Sequence, residues 1–541
     1  MWQHNYTPIH GSLIASSVVA ALPIFVLLFL LGVRRTQAWK AALWGLGTTM
    51  LVSFFLYGMP VTRIVSAAAY GAAYGLFPIG WIVIWALFLY RLTLDTGKFE
   101  AIKHSLRSLT RDPRLQTLLI AFAFGAFLEG AAGFGTPVAV AAAMLAGLGF
   151  SPFHAAAICL LANTAPVAFG SIAIPIVTLA GITGLPLARL SAGVGRMCAP
   201  VSLIIPAYLV VVMGGWGALA KVFPAALLCG VTFAGLQFAI SNFVGPLLTD
   251  LIASLGAMGV LVGLFLVWKP KDSGTYEVAK AVEGAPREHS IGQIFHAWSP
   301  YLLLVMCVLL WGWPPMVKQL NSVSIPIAWP GLHNLIARVP PVTATVSPYA
   351  AIFNMNWLSA SGTSCMIACI LSCFALRVPP LRALRIFLST MRQLTFSLVT
   401  LACVLGLAFL MNYSGATGTL GLSFAATGAA FPFFSAILGW LGVFLTGSDT
   451  SANALFGNLQ VVTATKLGFN PVLMASANSA GGVMGKMISL SSIAVAAAAT
   501  NMAPDDEARL FRFTLKHSAL LAFIIGLIAL FYTYVAPGLQ P

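Results

Sequence analysis

The sequence predicts an all-α polytopic membrane protein, with about 12 transmembrane helices plus two re-entrant hairpins arranged as an inverted repeat. Three observations predict it. Of 541 residues, 59% are hydrophobic and 8% charged, against about 25% charged in soluble domains. Apolar runs near spanning length cover most of the chain. Finally, one signature occurs twice. Phe127-Leu128-Glu129-Gly130, Gly149-Phe150-Ser151-Pro152 and Ala162-Asn163-Thr164-Ala165 with Gly170 recur as Phe444-Leu445-Thr446-Gly447, Gly468-Phe469-Asn470-Pro471 and Ala477-Asn478-Ser479-Ala480 with Gly485, at a separation of 315 to 319 residues.

Taken in order, spanning helices are expected near 11–33, 40–58, 73–94, 152–181, 197–215, 222–240, 242–267, 297–313, 350–376, 393–412, 471–500 and 517–537. Two stretches, 116–148 and 430–467, are interrupted by Gly-rich centres. Each half reads as too short to cross a bilayer alone, so both are expected to dip in and return on one side. With the N-terminus outside, this threading puts 21 of the 28 basic residues on cytoplasmic loops, as membrane proteins prefer. The C-terminus is then also periplasmic. Asp95-Thr96-Gly97, leading into the first copy, falls inside. Its counterpart Tyr413-Ser414-Gly415 falls outside, so the copies are inverted, an architecture that opens one site alternately to either face. The expected organisation is a first half over 1–267 (repeat core 95–181), a cytoplasmic linker over 268–295 and a second half over 296–541 (repeat core 413–500). Residues 314–349 form a Pro-rich outer connection.

Composition also excludes several classes. The net charge of +15 is scattered over short loops without a basic stripe, which argues against a nucleic-acid partner. Eight Cys show no CxxC motif. Cys365, Cys369 and Cys373 share one helical face and read as small packing residues. No His spacing suggests a metal, and no GxxxxGK[ST] motif suggests direct ATP coupling. No cofactor is implied.

The chemistry is expected where the repeat is polar. Pro166 interrupts one helix just after Asn163 and Thr164. Gly481 and Gly482 are expected to unwind the other beside Asn478 and Ser479. A helix broken at membrane depth offers N–H donors and a positive dipole end to a carboxylate. Asn163, Thr164, Ser448, Asn478, Ser479 and Lys486 are therefore candidate substrate-binding residues, and Lys486 is equally open to pairing with Asp449 or to snorkelling to the interface. Glu129 and Asp449 are carboxylates in apolar surroundings, where such groups are costly and functional. These surroundings penalise the charged form, which suits a carboxyl that loads and releases a proton. Pairing with Lys486 or capping a hairpin helix N-terminus is the structural alternative. Asn354, Asn356, Ser359, Ser361, Thr363 and Ser364 make a polar start to the ninth helix.

Several long motifs resemble the bacterial L-lactate permease family: Phe127-Leu-Glu-Gly-Ala-Ala-Gly-Phe-Gly135, Asn163-Thr-Ala-Pro-Val-Ala-Phe-Gly170, Gly439-Trp-Leu-Gly-Val-Phe-Leu-Thr-Gly-Ser-Asp-Thr-Ser451 and Gly481-Gly-Val-Met-Gly-Lys-Met-Ile-Ser489. The likeness covers essentially the whole chain. It implies an inner-membrane, proton-coupled symporter for L-lactate and related 2-hydroxymonocarboxylates such as D-lactate and glycolate, with the lipid bilayer as its other partner. A Na⁺-coupled carboxylate symporter of the same fold is the alternative. Ile488-Ser489-Leu490-Ser491-Ser492 departs from the Ser-Pro-Gln-Ser usual in the family, and Asn356 stands at a commonly acidic position.

Overall fold

In the computed structural model the chain is described over residues 1–133, 135–270 and 290–541. The tip residue Phe134 and most of the expected linker 268–295 lie outside the described residues. Among the described residues, eight helices are long and apolar enough to cross a membrane, and eleven if each of three bent pairs counts as one span. Two of the eleven, Pro113–Ala131 and Ala416–Thr446, lie on the hairpin stretches, so nine of the twelve expected spans are counted. The span expected at 40–58 forms the helix Ala38–Phe55, which is not among the eleven, and two more are lost for local reasons. The expected spans 197–215 and 222–240 run together as Leu187–Phe243, 57 residues. They are interrupted at Gly215 (φ 75°) and Val222, just before Pro224, which lacks the N–H that would continue the ladder. The ninth helix shortens to Ser361–Ala375, because 347–355 are extended rather than helical.

That extended region belongs to a small cap of short strands, set on a fold that is all-α as expected. Ile325–Ala328 pairs antiparallel with Ile352–Met355, and Ile336–Arg338 lies between Trp2–Gln3 and Ser347–Pro348. Alternate residues in such strands face opposite sides, so Phe353 is buried while its neighbours Ile352 and Asn354 are exposed. The polar run 354–364 thus straddles the cap and the start of the ninth helix.

One helix fixes how the two copies are oriented. Pro380–Ser414 is 35 residues long, about 50 Å at 1.5 Å per residue. Near its start Arg382 Nε meets Asp95 Oδ2 at 2.8 Å. At its end the Tyr413 carbonyl accepts from His4 Nε2 at 2.9 Å. The chain therefore leads into the first copy at one face of the molecule and into the second at the opposite face. Both approaches turn on a left-handed glycine, Gly97 (φ 70°) and Gly415 (φ 89°), a conformation that a Cβ would penalise. Lys466 and His4 line one surface hollow, and Asn470 Nδ2 donates to the Pro541 carbonyl at 3.3 Å. Both termini consequently share one face.

Candidate functional site

The first hairpin runs in along Pro113–Ala131 and returns along Thr136–Gly147. Its inward arm has 19 residues, near spanning length and longer than the sequence suggested. The cause is that Gly125 and Gly130 stay helical, so the arm runs on to Ala131 before the tip. There Gly133 and Gly135 adopt φ 59° and 80°, and Ser171 Oγ fills the space a Gly133 Cβ would need. The same hydroxyl donates to the Ala132 carbonyl at 2.9 Å. Glu129, one turn before the tip, is buried, and its Oε2 accepts from Asn163 Nδ2 at 2.9 Å. Tip and broken helix of the first copy are thus tied together, as the repeat implied.

In the second hairpin, Phe431–Thr446 turns at Gly447 (φ 72°) into Asp449–Leu467. This return arm is 19 residues, again longer than expected, though far more polar. Asp449 heads it. Its Oδ2 accepts from Ser479 Oγ at 2.6 Å and Asn453 Nδ2 at 3.2 Å, while Oδ1 has no partner among the described residues. Asn453 is a hub: its Oδ1 accepts from Asn478 Nδ2 at 2.9 Å, and its Nδ2 also reaches the Pro175 carbonyl of the first copy at 3.2 Å. Gln460 Nε2 donates to Asn478 Oδ1 at 3.0 Å. Such a network keeps buried polar groups satisfied where water is excluded.

The two broken helices differ. In the first, Pro152–Ala162 ends at Asn163, the chain passes through Pro166, and Ser171, Ile172 and Ala173 turn left-handed (φ 47°, 58°, 58°) before the helix resumes to Thr183. The bend is 67°. In the second, the expected unwinding at 477–482 does not occur. Pro471–Gly485 is continuous, and the break falls at 486–489 with a bend of 41°. No proline stands at the position matching Pro166. Gly481 and Gly482 serve close packing instead: a Cβ on Gly481 would collide with the Ala436 backbone, and one on Gly482 with Asp449 Oδ1. Gly439 in turn rests on the Asn478 carbonyl. Close backbone approach of this kind holds membrane helices together.

Between the copies lies a cavity of about 350 Å³. The first copy lines it with Glu129, Gly135, Gly170 and Ser171, and the second with Thr446, Gly447, Ser448, Asp449, Thr450, Lys486, Ser491 and Ser492. The candidate residues therefore divide. Glu129, Ser448, Asp449 and Lys486 face the cavity. Asn163, Asn478 and Ser479 stand behind it, holding the carboxyls or the hub. Thr164 is buried, and its hydroxyl donates back to the Leu161 carbonyl at 2.7 Å, so it satisfies its own helix end. Lys486 Nζ donates to the Gly447 carbonyl at 2.6 Å and makes no ion pair among the described residues. Three helices begin at the cavity wall, Thr136–Gly147, Asp449–Leu467 and Leu490–Thr500. Ser448 Oγ accepts from Ser451 N at 3.2 Å, and Ser489 Oγ from Ser492 N at 3.3 Å, as N-caps do. Helix N-termini and a lysine together make a wall that favours an anion.

The sequence places Asn453 in the polar tip of the second hairpin but does not reveal it as a hub, and it does not single out Asp250. Asn453 follows Asp449 by one turn, a spacing that places both on one helix face. Asp250 is a third carboxylate in an apolar run, the signal that singled out Glu129 and Asp449. It lies near the start of its helix, where acids are ordinary.

A helical, multi-pass fold around a small charged cavity shared by two inverted copies defines a membrane transporter. The comparisons place it further. Residues 16–536 match the family described as L-lactate permease. The chain is 44% identical over 564 residues to the L-lactate permease of Bacillus subtilis, covering 100% of both. It is 44% identical over 557 residues to the glycolate permease GlcA of Escherichia coli, covering 99% of each. The chain belongs to the L-lactate permease family. Among solved structures, the YdaH transporter of Alcanivorax borkumensis shares the fold, at a TM-score of 0.50 with 15% identity, covering 94% of this chain and 100% of that one.

Proposed function

We propose that the protein is a secondary active transporter that takes up L-lactate and related 2-hydroxymonocarboxylates, D-lactate and glycolate among them, together with protons across the bacterial inner membrane. The names of the relatives support the substrate class. What supports the coupling is the meeting of Glu129, Asp449 and Lys486 in one cavity between the copies.

Charge balance explains why. One lysine faces two carboxyls. If both were ionised, an incoming carboxylate would meet net negative charge, and two like charges about 4 Å apart repel by about 4 kcal/mol at an effective dielectric constant of about 20. The substrate binds well only when a carboxyl carries a proton, so anion and proton load together. Lys486 and the helix N-termini behind Ser448 and Ser489 receive the substrate carboxylate, and Ser448, Ser491 or Ser492 the 2-hydroxyl. Asn163 and Ser479 position the carboxyls. The neutralised load then crosses as the halves 1–267 and 296–541 rearrange about Asn453 and Pro175, with both termini periplasmic.

A Na⁺-coupled symporter is the second reading, favoured by the unpartnered Asp449 Oδ1 beside the Ser479 and Asn453 side chains. Uptake of labelled L-lactate into vesicles separates the two. Proton symport requires accumulation under an imposed pH gradient without Na⁺ and its collapse by an uncoupler. Accumulation that needs Na⁺ and survives the uncoupler decides for the alternative.

A further inference from the structure

We propose, on the basis of the proton-symport reading, that Asp250 is a second proton-bearing carboxyl of the transport cycle, exchanging its proton with Glu129 across the tip of the first hairpin. Asp250 is the second residue of the helix Thr249–Val267. It is 1% exposed, and neither carboxyl oxygen has a hydrogen-bond partner among the described residues. An acid in a first helical turn ordinarily meets solvent or caps backbone N–H groups. Asp250 does neither. An unpaired buried polar atom costs about 1–3 kcal/mol, and more when charged, so an apolar residue would serve packing better.

Its location supplies a use. Asp250 Cβ lies 2.8 Å from the place a Cβ on Gly130 would occupy, so its helix is pressed against the backbone next to Glu129. The Glu129 carboxyl itself lies toward Asn163, Gly170 and the cavity. The hairpin arm therefore carries one carboxyl on the cavity side and has another packed behind it. Among the described residues, Glu129 and the Cys198 thiol are the titratable groups from neighbouring elements within electrostatic reach of Asp250.

The nearest face of the molecule agrees. Asp250 follows the turn at 245–248, next to Asn242, whose Oδ1 accepts from Arg196 Nε at 2.8 Å. Arg196 Nη1 also donates to the Leu539 carbonyl at 2.7 Å. This turn thus belongs to the face that carries both termini, the periplasmic face from which protons arrive during uptake. In the exchange, the O–H bond on Asp250 breaks as an O–H bond forms on the Glu129 carboxylate. Asp250 is left as the anion and regains a proton from the outer face.

The test uses full-length protein in proteoliposomes and compares two assays. Counterflow of labelled L-lactate into lactate-loaded vesicles needs no net proton movement, whereas uphill accumulation under a pH gradient does. For Asp250→Asn the expected result is counterflow near the wild-type rate together with loss of the roughly tenfold accumulation that about one pH unit drives at one proton per substrate. Asp250→Glu, which keeps the carboxyl, restores part of it. The proposal is overturned if Asp250→Asn accumulates like the wild type. It is equally overturned if Asp250→Asn loses both activities, or if Asp250→Glu behaves no better than Asp250→Asn, since Asp250 is then structural. A wild-type protein that fails to accumulate under the pH gradient sinks the proton-symport reading instead.

Discussion

In the first copy the carboxylate precedes the hairpin tip and, among the described residues, is held by Asn163 alone. In the second it follows the tip, heads a helix and is held by Ser479 and Asn453. The helices behind them differ in the same sense. The first breaks at a proline and passes through three left-handed residues, each costing about 1–2 kcal/mol. The second stays helical through Gly485 and is clamped to the helix Phe431–Thr446 by glycines. The difference teaches that a sequence repeat conserves path more faithfully than local conformation. One copy is strained and lightly tethered, the other densely packed and heavily bonded. In an alternating-access cycle the first copy is the natural place for rearrangement and the second for a fixed frame.

The largest expected effect tests that asymmetry directly. Position 166 of the first copy matches position 481 of the second. Gly481→Pro places a proline inside a continuous helix and costs about 3 kcal/mol or more, with a Cβ collision against Ala436 besides. Pro166→Ala costs far less, because its helix has already ended. Thermal unfolding in detergent reads both, and equal losses would dissolve the distinction. Next come the tethers. Removing a hydrogen bond to a charged group costs about 1.5–3 kcal/mol. Asn163→Ala is expected to shift apparent lactate affinity more than Ser479→Ala, since Asp449 keeps Asn453. A larger effect at Ser479 would reverse the ranking of the two copies.

The two faces of the long helix Pro380–Ser414 give a smaller contrast. At the terminal face His4 is packed among Tyr6, Tyr349 and Tyr413, and burial holds its imidazole down, to about 4 from 6.5. The unfolded strand binds the proton first, so docking is fully stable above about pH 6.5. It weakens by about 1.4 kcal/mol per pH unit as pH falls toward 4. Proteolysis of the N-terminal strand is expected to accelerate from pH 7 to 5, and His4→Gln to remove that dependence. At the other face Arg382 and Asp95 are each about half exposed. Arg382→Ala is expected to cost at most about 1 kcal/mol, less at high salt. A loss well beyond that would mean the pair orders its face as strongly as His4 orders the other.

Much of this was legible in the sequence. Composition and the doubled signature located the hairpins and their inversion and singled out Glu129, Asp449 and Lys486, because apolar length and polar interruptions are one-dimensional signals; that the three meet in one cavity is visible only in the fold. Three kinds of feature were not legible. Gly481 and Gly482 read as breakers because glycine's packing role depends on what approaches it, here Ala436 and Asp449 from another helix. Thr164 read as a ligand because a hydroxyl's direction is invisible until its own helix end claims it at Leu161. Asp250 is not legible because its neighbour Gly130 is 120 residues away in the chain.

The central claim is that the cavity carboxyls carry the proton that moves with the substrate. The most direct test is steady-state accumulation of labelled L-lactate in proteoliposomes, under an imposed pH gradient with the membrane potential clamped, for the wild type, Glu129→Gln and Asp449→Asn. The account predicts concentrative uptake by the wild type, about tenfold per pH unit at one proton per substrate, and no accumulation above equilibrium for at least one variant. Full accumulation by both variants would contradict it.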